Sequence, residues 1–250
     1  AFTPILVVIG EHATWHLSAD PLLATEIEAV ARNVSEYVKR NEGTLTIASD
    51  LGEAIAASME KGGRIATLIV PHDFQIADAD GKTLERRALP ETQYSFRQVT
   101  QSAQALKAGK SALLLGGPAL SEAGIMLAGR IAEASGADLI CDTFFARMER
   151  GGDLPSPIRL PYFPDQALEL TRRYQHVIIV GTRRPVAFFG YPELPSYLTT
   201  EEQTVMLSGP QEDTLGALTA LAHEVHAADE IEPNRGQRPD MPKGALNAQS

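Results

Sequence analysis

The sequence predicts an α/β protein whose main body is a central parallel sheet wound on both sides, with a partial α/β lobe at the N-terminus. The runs 111–115, 137–141 and 177–180 are mainly apolar rather than alternating, the pattern of strands buried on both faces of a parallel sheet. The stretch between the first two has helix-start and helix-stop chemistry: Ser121 is placed to cap, Leu127 and Ile131 share a face, and Gly136 supplies a left-handed end. The first run also closes in the tight turn Gly116-Gly117-Pro118. Strand, helix and strand in that order make a parallel crossover, so the central sheet reads as doubly wound and Rossmann-like. Sheets of this kind bind ligands in the crevice above the carboxyl ends of their strands.

Composition narrows the possibilities. A chain of 250 residues that is 44% hydrophobic can bury a sizeable core. Its 22 basic against 32 acidic residues give a net charge of -10, which argues against nucleic acid as a partner. The longest apolar runs, 5–9 and 177–180, fall far short of the ~20 residues a membrane helix needs, so no membrane partner is expected. A single Cys cannot form an internal disulfide, and the first ten residues lack the pattern of a secretory signal; a reducing cytoplasm is the expected location. The apolar start at Ala1 without Met suggests a slice of a longer protein.

In order along the chain, 1–10 reads as a buried strand opening into a loop that carries His12, Trp15 and His16. Thr25 and Glu28 have capping-box spacing for a helix to about Arg32, and 34–38 suits a short strand. Asp50 and Glu53 repeat the box, with Leu51, Ile55 and Met59 on one face of a helix stopped by Gly62-Gly63. Residues 65–70 form another apolar strand ended by Pro71, with His72 and Asp73 just beyond it. These elements make a partial lobe over 1–78, followed by a charged, irregular linker over 79–95. The central domain then occupies 96–228. It opens with a helix over 96–108, and after the crossover unit come a loop over 142–152 and a rigid extended stretch containing Pro155, Pro157, Pro161 and Pro164. A helix over 165–174, strands over 177–180 and 204–207 and a helix carrying Leu215, Leu218, Leu221 and Val225 complete it, and 229–250 is a polar tail.

Few residues carry chemistry on their own. Gly109-Lys110-Ser111 ends like a phosphate loop but precedes its strand, whereas such a loop follows one. Gly116 and Gly117 either form a tight turn and nothing more or aim the N-terminus of the next helix at an anion in the crevice. Arg183 and Arg184 follow a strand end, placed either to pair with a diphosphate or as surface arginines. Phe188, Phe189 and Tyr191 suit a wall for a flat ring, a core or an interdomain contact. Cys141 reads as a buried thiol. His12 and His16 are four apart without a helical pattern or a third ligand, so no metal is expected there. His12 is either a loop histidine with a structural hydrogen bond or a polar contact and proton carrier for a substrate.

Taken together, these stretches resemble the acetolactate-synthase-like large subunits of the thiamine-diphosphate-dependent enzymes. The resemblance rests on TPILVVIGEHATWH at 3–16, the segment from Asp20 to Val34, ATLIVP at 66–71, GGPAL at 116–120, CDTFFARMERG at 141–151 and PVAFFGYPELP at 185–195. It implies the rear half of a pyrimidine-binding domain followed by the central domain. The parent would be a lyase or transferase that uses thiamine diphosphate and Mg²⁺ to decarboxylate a 2-oxo acid and ligate the product, as a homodimer or homotetramer. The family's cofactor-activating glutamate lies upstream of this sequence and its GDG...N domain downstream, so this slice alone is expected to lack a complete active site. By position the resemblance places His12, with Glu11 and His16, on the substrate side. It also matches Gly116, Gly117, the loop of Met148 and Arg183 to segments that contact FAD in true acetolactate synthases, although RLPYFP at 159–164 departs from that pattern. The alternative is a noncatalytic module that binds a nucleotide such as FAD, ADP or NAD; a third reading is a scaffold that assembles through the patch from Phe188 to Tyr191.

Overall fold

The computed structural model describes residues 2–78, 87–89 and 91–230. Most of the expected linker and nearly all of the expected tail therefore lie outside the described residues. The first lobe holds strand β1 (Ile5–Glu11), helix α1 (Ile27–Arg32), strand β2 (Tyr37–Arg40), helix α2 (Ile47–Met59), strand β3 (Ile65–Pro71) and the short helix α3 (His72–Ile76). Its three strands are parallel in the order β1-β3-β2. Helix α2 packs on β3 through Ala54, Leu68 and Val70, while Ile5 and Val8 of β1 stay exposed. A lone three-stranded sheet covered so unevenly matches the expectation of a partial α/β lobe.

The second lobe runs from helix α4 (Phe96–Ala108) through strand β4 (Ser111–Leu115), helix α5 (Glu122–Ser135), strands β5 (Asp138–Cys141) and β6 (Ile158–Arg159), helix α6 (Pro164–Thr171), strands β7 (His176–Val180) and β8 (Thr204–Ser208) to helix α7 (Thr214–Glu224). The sheet is parallel throughout, in the order β6-β5-β4-β7-β8. Its strands alternate sides as a period of two demands. Leu113, Leu115, Ile178 and Val180 pack with α4, α5 and α7, and Ala112, Leu114, Val177 and Ile179 pack with α6. The sheet is therefore doubly wound, and the chain's direction of travel reverses between β4 and β7.

Local chemistry explains where elements begin and end. Ser121 Oγ accepts from Gly124 N at 3.2 Å, and Gly136, at φ 73°, ends α5 in the left-handed region. The cap expected at Asp50 is corrected: α2 starts three residues earlier, and Asp50 lies inside it. Tertiary demand overrides the local signal, because the buried Asp50 carboxylate pairs with Lys39 at 2.8 Å and accepts from Asn41 at 2.8 Å and Thr46 at 3.0 Å. Thr25 likewise does not cap, since α1 starts at Ile27 after an N-cap Glu26 that makes no side-chain bond. Strand β2 lies two to three residues later than expected, and β6 was hidden within the proline-rich stretch.

The Lys39 ammonium also holds Glu53, at 2.6 Å, and this bond draws the Glu53 carboxyl below its ordinary value. For Asp50, burial pushes upward most strongly, but the bonds from Lys39, Asn41 and Thr46 together outweigh it and its carboxyl is also lowered. A carboxyl lowered on folding contributes stability that is present above its unfolded value and is lost as pH falls through the folded one. The ordinary values are 3.8 for Asp50 and 4.5 for Glu53, so the loss belongs below these. Urea unfolding of Lys39→Met should therefore show a shallower acid dependence below about pH 4.5 than wild type. Parallel slopes would show that Lys39 does not set this dependence.

Candidate functional site

Two crevices open at the carboxyl ends of the two sheets. The first, about 510 Å³, lies beyond β1 and β3 and is lined by Glu11, His12, Trp15, His16, His72 and Gln75 among others. Strand β1 ends at Glu11, so the next residues leave the sheet as a loop over the strand ends. His12 Nε2 lies 3.1 Å from the Leu22 carbonyl, which can only accept; this bond puts the proton on Nε2 and leaves Nδ1 as the basic nitrogen. The His16 ring stands 6.0 Å from His12 and 5.4 Å from Trp15. Asp73, beyond β3, pins the loop by accepting from Thr14 N at 3.1 Å and Thr14 Oγ1 at 2.6 Å. The Thr14 hydroxyl is the main reason the Asp73 carboxyl lies below its usual range.

The Glu11 side chain is almost wholly enclosed, 1% exposed, and pairs with Arg40. Arg40 reaches on to Glu28 at 3.1 Å, so one guanidinium bridges two carboxylates and ties β1 to β2 and α1. Glu11, His12 and His16 line one crevice. His72 and Gln75 also line it; the position of His72 just past a strand end was the signal that marks it.

The second crevice, about 560 Å³, lies at the reversal point between β4 and β7, where doubly wound sheets bind their ligands. Its lining includes Gly117, Asp142, Phe144, Arg147, Thr182 and Arg183. The glycines here answer to packing: a Cβ on Gly117, at φ 50°, would lie 2.9 Å from the Gly181 carbonyl oxygen, and one on Gly116 would lie 2.6 Å from Thr182 Cβ. The two strand-end turns pass in direct contact, and side chains would force them apart. Thr182 Oγ1 donates to Asp142 Oδ2 at 2.5 Å, while burial pushes the Asp142 carboxyl above its usual value.

Arg183 lies 4.5 Å from the ring centroid of Phe2, which joins the two lobes at the crevice. Arg184 instead stacks on Tyr197 at 4.1 Å and donates to the Thr199 carbonyl. Met148 does not line the crevice; its side chain packs against the core around β4 and α5. Phe144, Tyr162, Phe188 and Phe189 form a contiguous, solvent-exposed aromatic cluster beside the crevice. Arg147 and Asp142 belong to the crevice too, and neither stood out in the sequence.

The N-terminus of α5, for which an anion was one of two expectations, is met by the protein's own carboxylate. Glu149 Oε2 accepts from Glu122 N at 2.5 Å, and Glu149 Oε1 pairs with Arg147 at 2.8 Å. Arg147, Arg183 and Arg184 are the arginines that line the crevice, and Arg147 is already paired with Glu149. Among the described residues no group of three or more His, Cys, Asp or Glu comes together to hold a metal, and no helix is long and apolar enough to cross a membrane.

No protein-family profile matches the chain. A Mycobacterium tuberculosis (strain ATCC 25618 / H37Rv) protein provisionally named acetolactate synthase large subunit IlvX is 38% identical over 256 aligned residues, which take in 100% of this chain and 48% of that protein. Across its whole length the chain is similar to that large-subunit-like protein. It spans about half the length of the curated relative it matches. Two solved structures share the fold, each with a TM-score of 0.68. One is a provisionally assigned thiamin diphosphate-dependent enzyme from Mycobacterium smegmatis, 18% identical, matching 96% of this chain and 49% of that one. The other is a thiamine diphosphate-dependent 4-hydroxybenzoylformate decarboxylase from Rhodococcus jostii RHA1, 15% identical, matching 98% of this chain and 50% of that one. At these identities the two structures speak to fold alone; in both, the likeness to this chain extends across both lobes.

Proposed function

We propose that this chain forms part of a thiamine-diphosphate-dependent enzyme that decarboxylates a 2-oxo acid and ligates or releases the product. The observation that carries the reading is the match of the whole chain to an acetolactate-synthase-like large subunit, together with a crevice of histidines beyond β1 and β3. When bound, thiamine diphosphate would supply the electron sink for decarboxylation.

This chain's own residues face the substrate side. His12, with Nε2 engaged at Leu22, presents Nδ1 as the atom that takes or returns a proton or accepts a substrate hydroxyl. His16 and Trp15 wall that side, and the bond between Thr14 and Asp73 keeps the loop in place. Glu11, already held by Arg40, fixes the crevice floor rather than accepting a substrate proton. In the central lobe, Gly116 and Gly117 bring the two strand-end turns together, and Arg183 with Arg147 faces the phosphates of a nucleotide such as FAD, ADP or NAD. Exposed Trp15, Leu22 and Leu23 around the first crevice favour assembly as a homodimer or homotetramer.

The test is steady-state kinetics of His12→Ala in the full-length enzyme with 2-oxo acids. A proton-transfer role predicts a fall of roughly 10²-fold or more in kcat with little change in thermal stability. An unchanged rate would remove His12 from the chemistry.

A further inference from the structure

The turn that joins α2 to β3 meets the central lobe backbone to backbone. Lys61, Gly62 and Gly63 all have positive φ, at 54°, 80° and 116°. A non-glycine residue held there carries strain that the surrounding structure must over-determine. The run turns Gly62 onto Pro210 so closely that a Cβ would strike the Pro210 carbonyl oxygen. Neither side yields on its own. On the first lobe Arg64 donates from Nε to the Ala57 carbonyl at 2.6 Å and from N to the Ser58 carbonyl at 2.8 Å, which staples the turn to the end of α2. On the central lobe Gly209 N donates to Glu212 Oε2 at 2.6 Å and Asp213 N to the Gln93 carbonyl at 3.1 Å, which fixes the turn after β8.

Openings flank this contact. One is the second crevice, toward Arg183, and the other is a cleft of about 620 Å³ lined by Glu60 and Lys61 of the first lobe and by Glu91, Gln93 and Gln211. Gly62 and Pro118 line both openings. Polar groups such as these gain little from staying in contact, and lobes joined in this way move relative to one another. On the crevice side the lobes meet where Arg183 stacks on Phe2 at 4.5 Å from the ring centroid. We infer that the two lobes rock about Gly62 as a fulcrum, with the stack of Arg183 on Phe2 as the stop on the crevice side. Narrowing the crevice then widens the cleft, and the reverse, because the backbone contact between them keeps its place.

Double electron–electron resonance on the full-length protein tests this, with Leu45→Cys and Glu133→Cys, exposed positions on the first and central lobes, as the only accessible cysteines. Labelled subunits are diluted among unlabelled ones, so that each distance lies within one chain. Gly62→Ala is expected to displace the mean distance by about 2 Å or more, since two rigid turns must part. Gly43→Ala, where nothing lies within 4 Å of the added atom, should leave it in place. Phe2→Ala should broaden the distribution, because the stop is lost while the fulcrum remains. A wild-type mean distance in folded Gly62→Ala overturns the fulcrum, and a wild-type width in Phe2→Ala overturns the rocking motion. If Gly62→Ala does not fold, the width in Phe2→Ala decides alone.

Discussion

Replacing Arg40 with methionine is expected to destabilise the first lobe by about 3 kcal/mol, because removing one partner of a buried ion pair strands the other. Glu11 is the group stranded: its side chain is 1% exposed, at the end of β1. Methionine fills the volume of the arginine stem but offers nothing to the carboxylate, and Glu28 loses its partner at 3.1 Å as well. The value lies at the low end for buried pairs because Arg40 itself is 32% exposed, which lets water share the load. The check is a double-mutant cycle in urea. Glu11→Gln in the Arg40→Met background should recover a large part of the loss, since a neutral amide is far cheaper to leave unpaired than a charge. If the double variant is no more stable than Arg40→Met alone, the pair is not what holds β1 to β2. The result also bears on function, because Glu11 forms part of the wall beside His12.

Gly181→Ala should be comparably damaging to the second lobe, at roughly 2–4 kcal/mol from backbone strain together with overpacking. Gly181 ends β7 at φ 68°, a conformation that disfavours any Cβ. The added atom would also lie 2.5 Å from the Gly116 carbonyl oxygen and 3.0 Å from Thr214 Cγ2. The neighbour it meets first is backbone and cannot swing aside. Relief requires the turns after β4 and β7 to part, which also moves Thr182 off Asp142. Gly136→Ala is the control: its φ of 73° carries the same strain, but nothing lies within 4 Å of the added atom. It should cost only about 1–2 kcal/mol. Thermal melts of the two variants separate strain from collision, and equal losses would show that the contact between the turns is unimportant.

The sequence announced the second lobe well. Continuous apolar runs with a capped helix between them leave one economical arrangement, and the structure has α4, β4 and α5 where the pattern placed them. The first lobe was harder to read. Both capping boxes looked alike, yet Asp50 is enclosed by Lys39, Asn41 and Thr46 instead of capping α2, because its partners come from strand β2 and the turn before the helix. Strand β6 was hidden because two residues between prolines carry no periodicity. Among candidate site residues, His12 and Arg183 stood out because each follows a strand end, whereas Glu11 and His16 entered only through the family resemblance of their loop. Asp142 and Arg147 did not: a carboxylate and a guanidinium in a polar loop look like surface charge until the fold sets them facing Thr182 and Glu149.

By itself, the sequence determined the α/β class, the crossover unit and the order of the main elements, since these follow from hydrophobic period, turn residues and caps spaced a few positions apart. Only the tertiary structure decided that β4 and β7 are neighbours at the reversal point, that Arg40 neutralises Glu11, and that Glu149 fills the N-terminus of α5. These are contacts between residues distant along the chain, and local spacing carries no information about which charges or turns will meet once the sheet has formed.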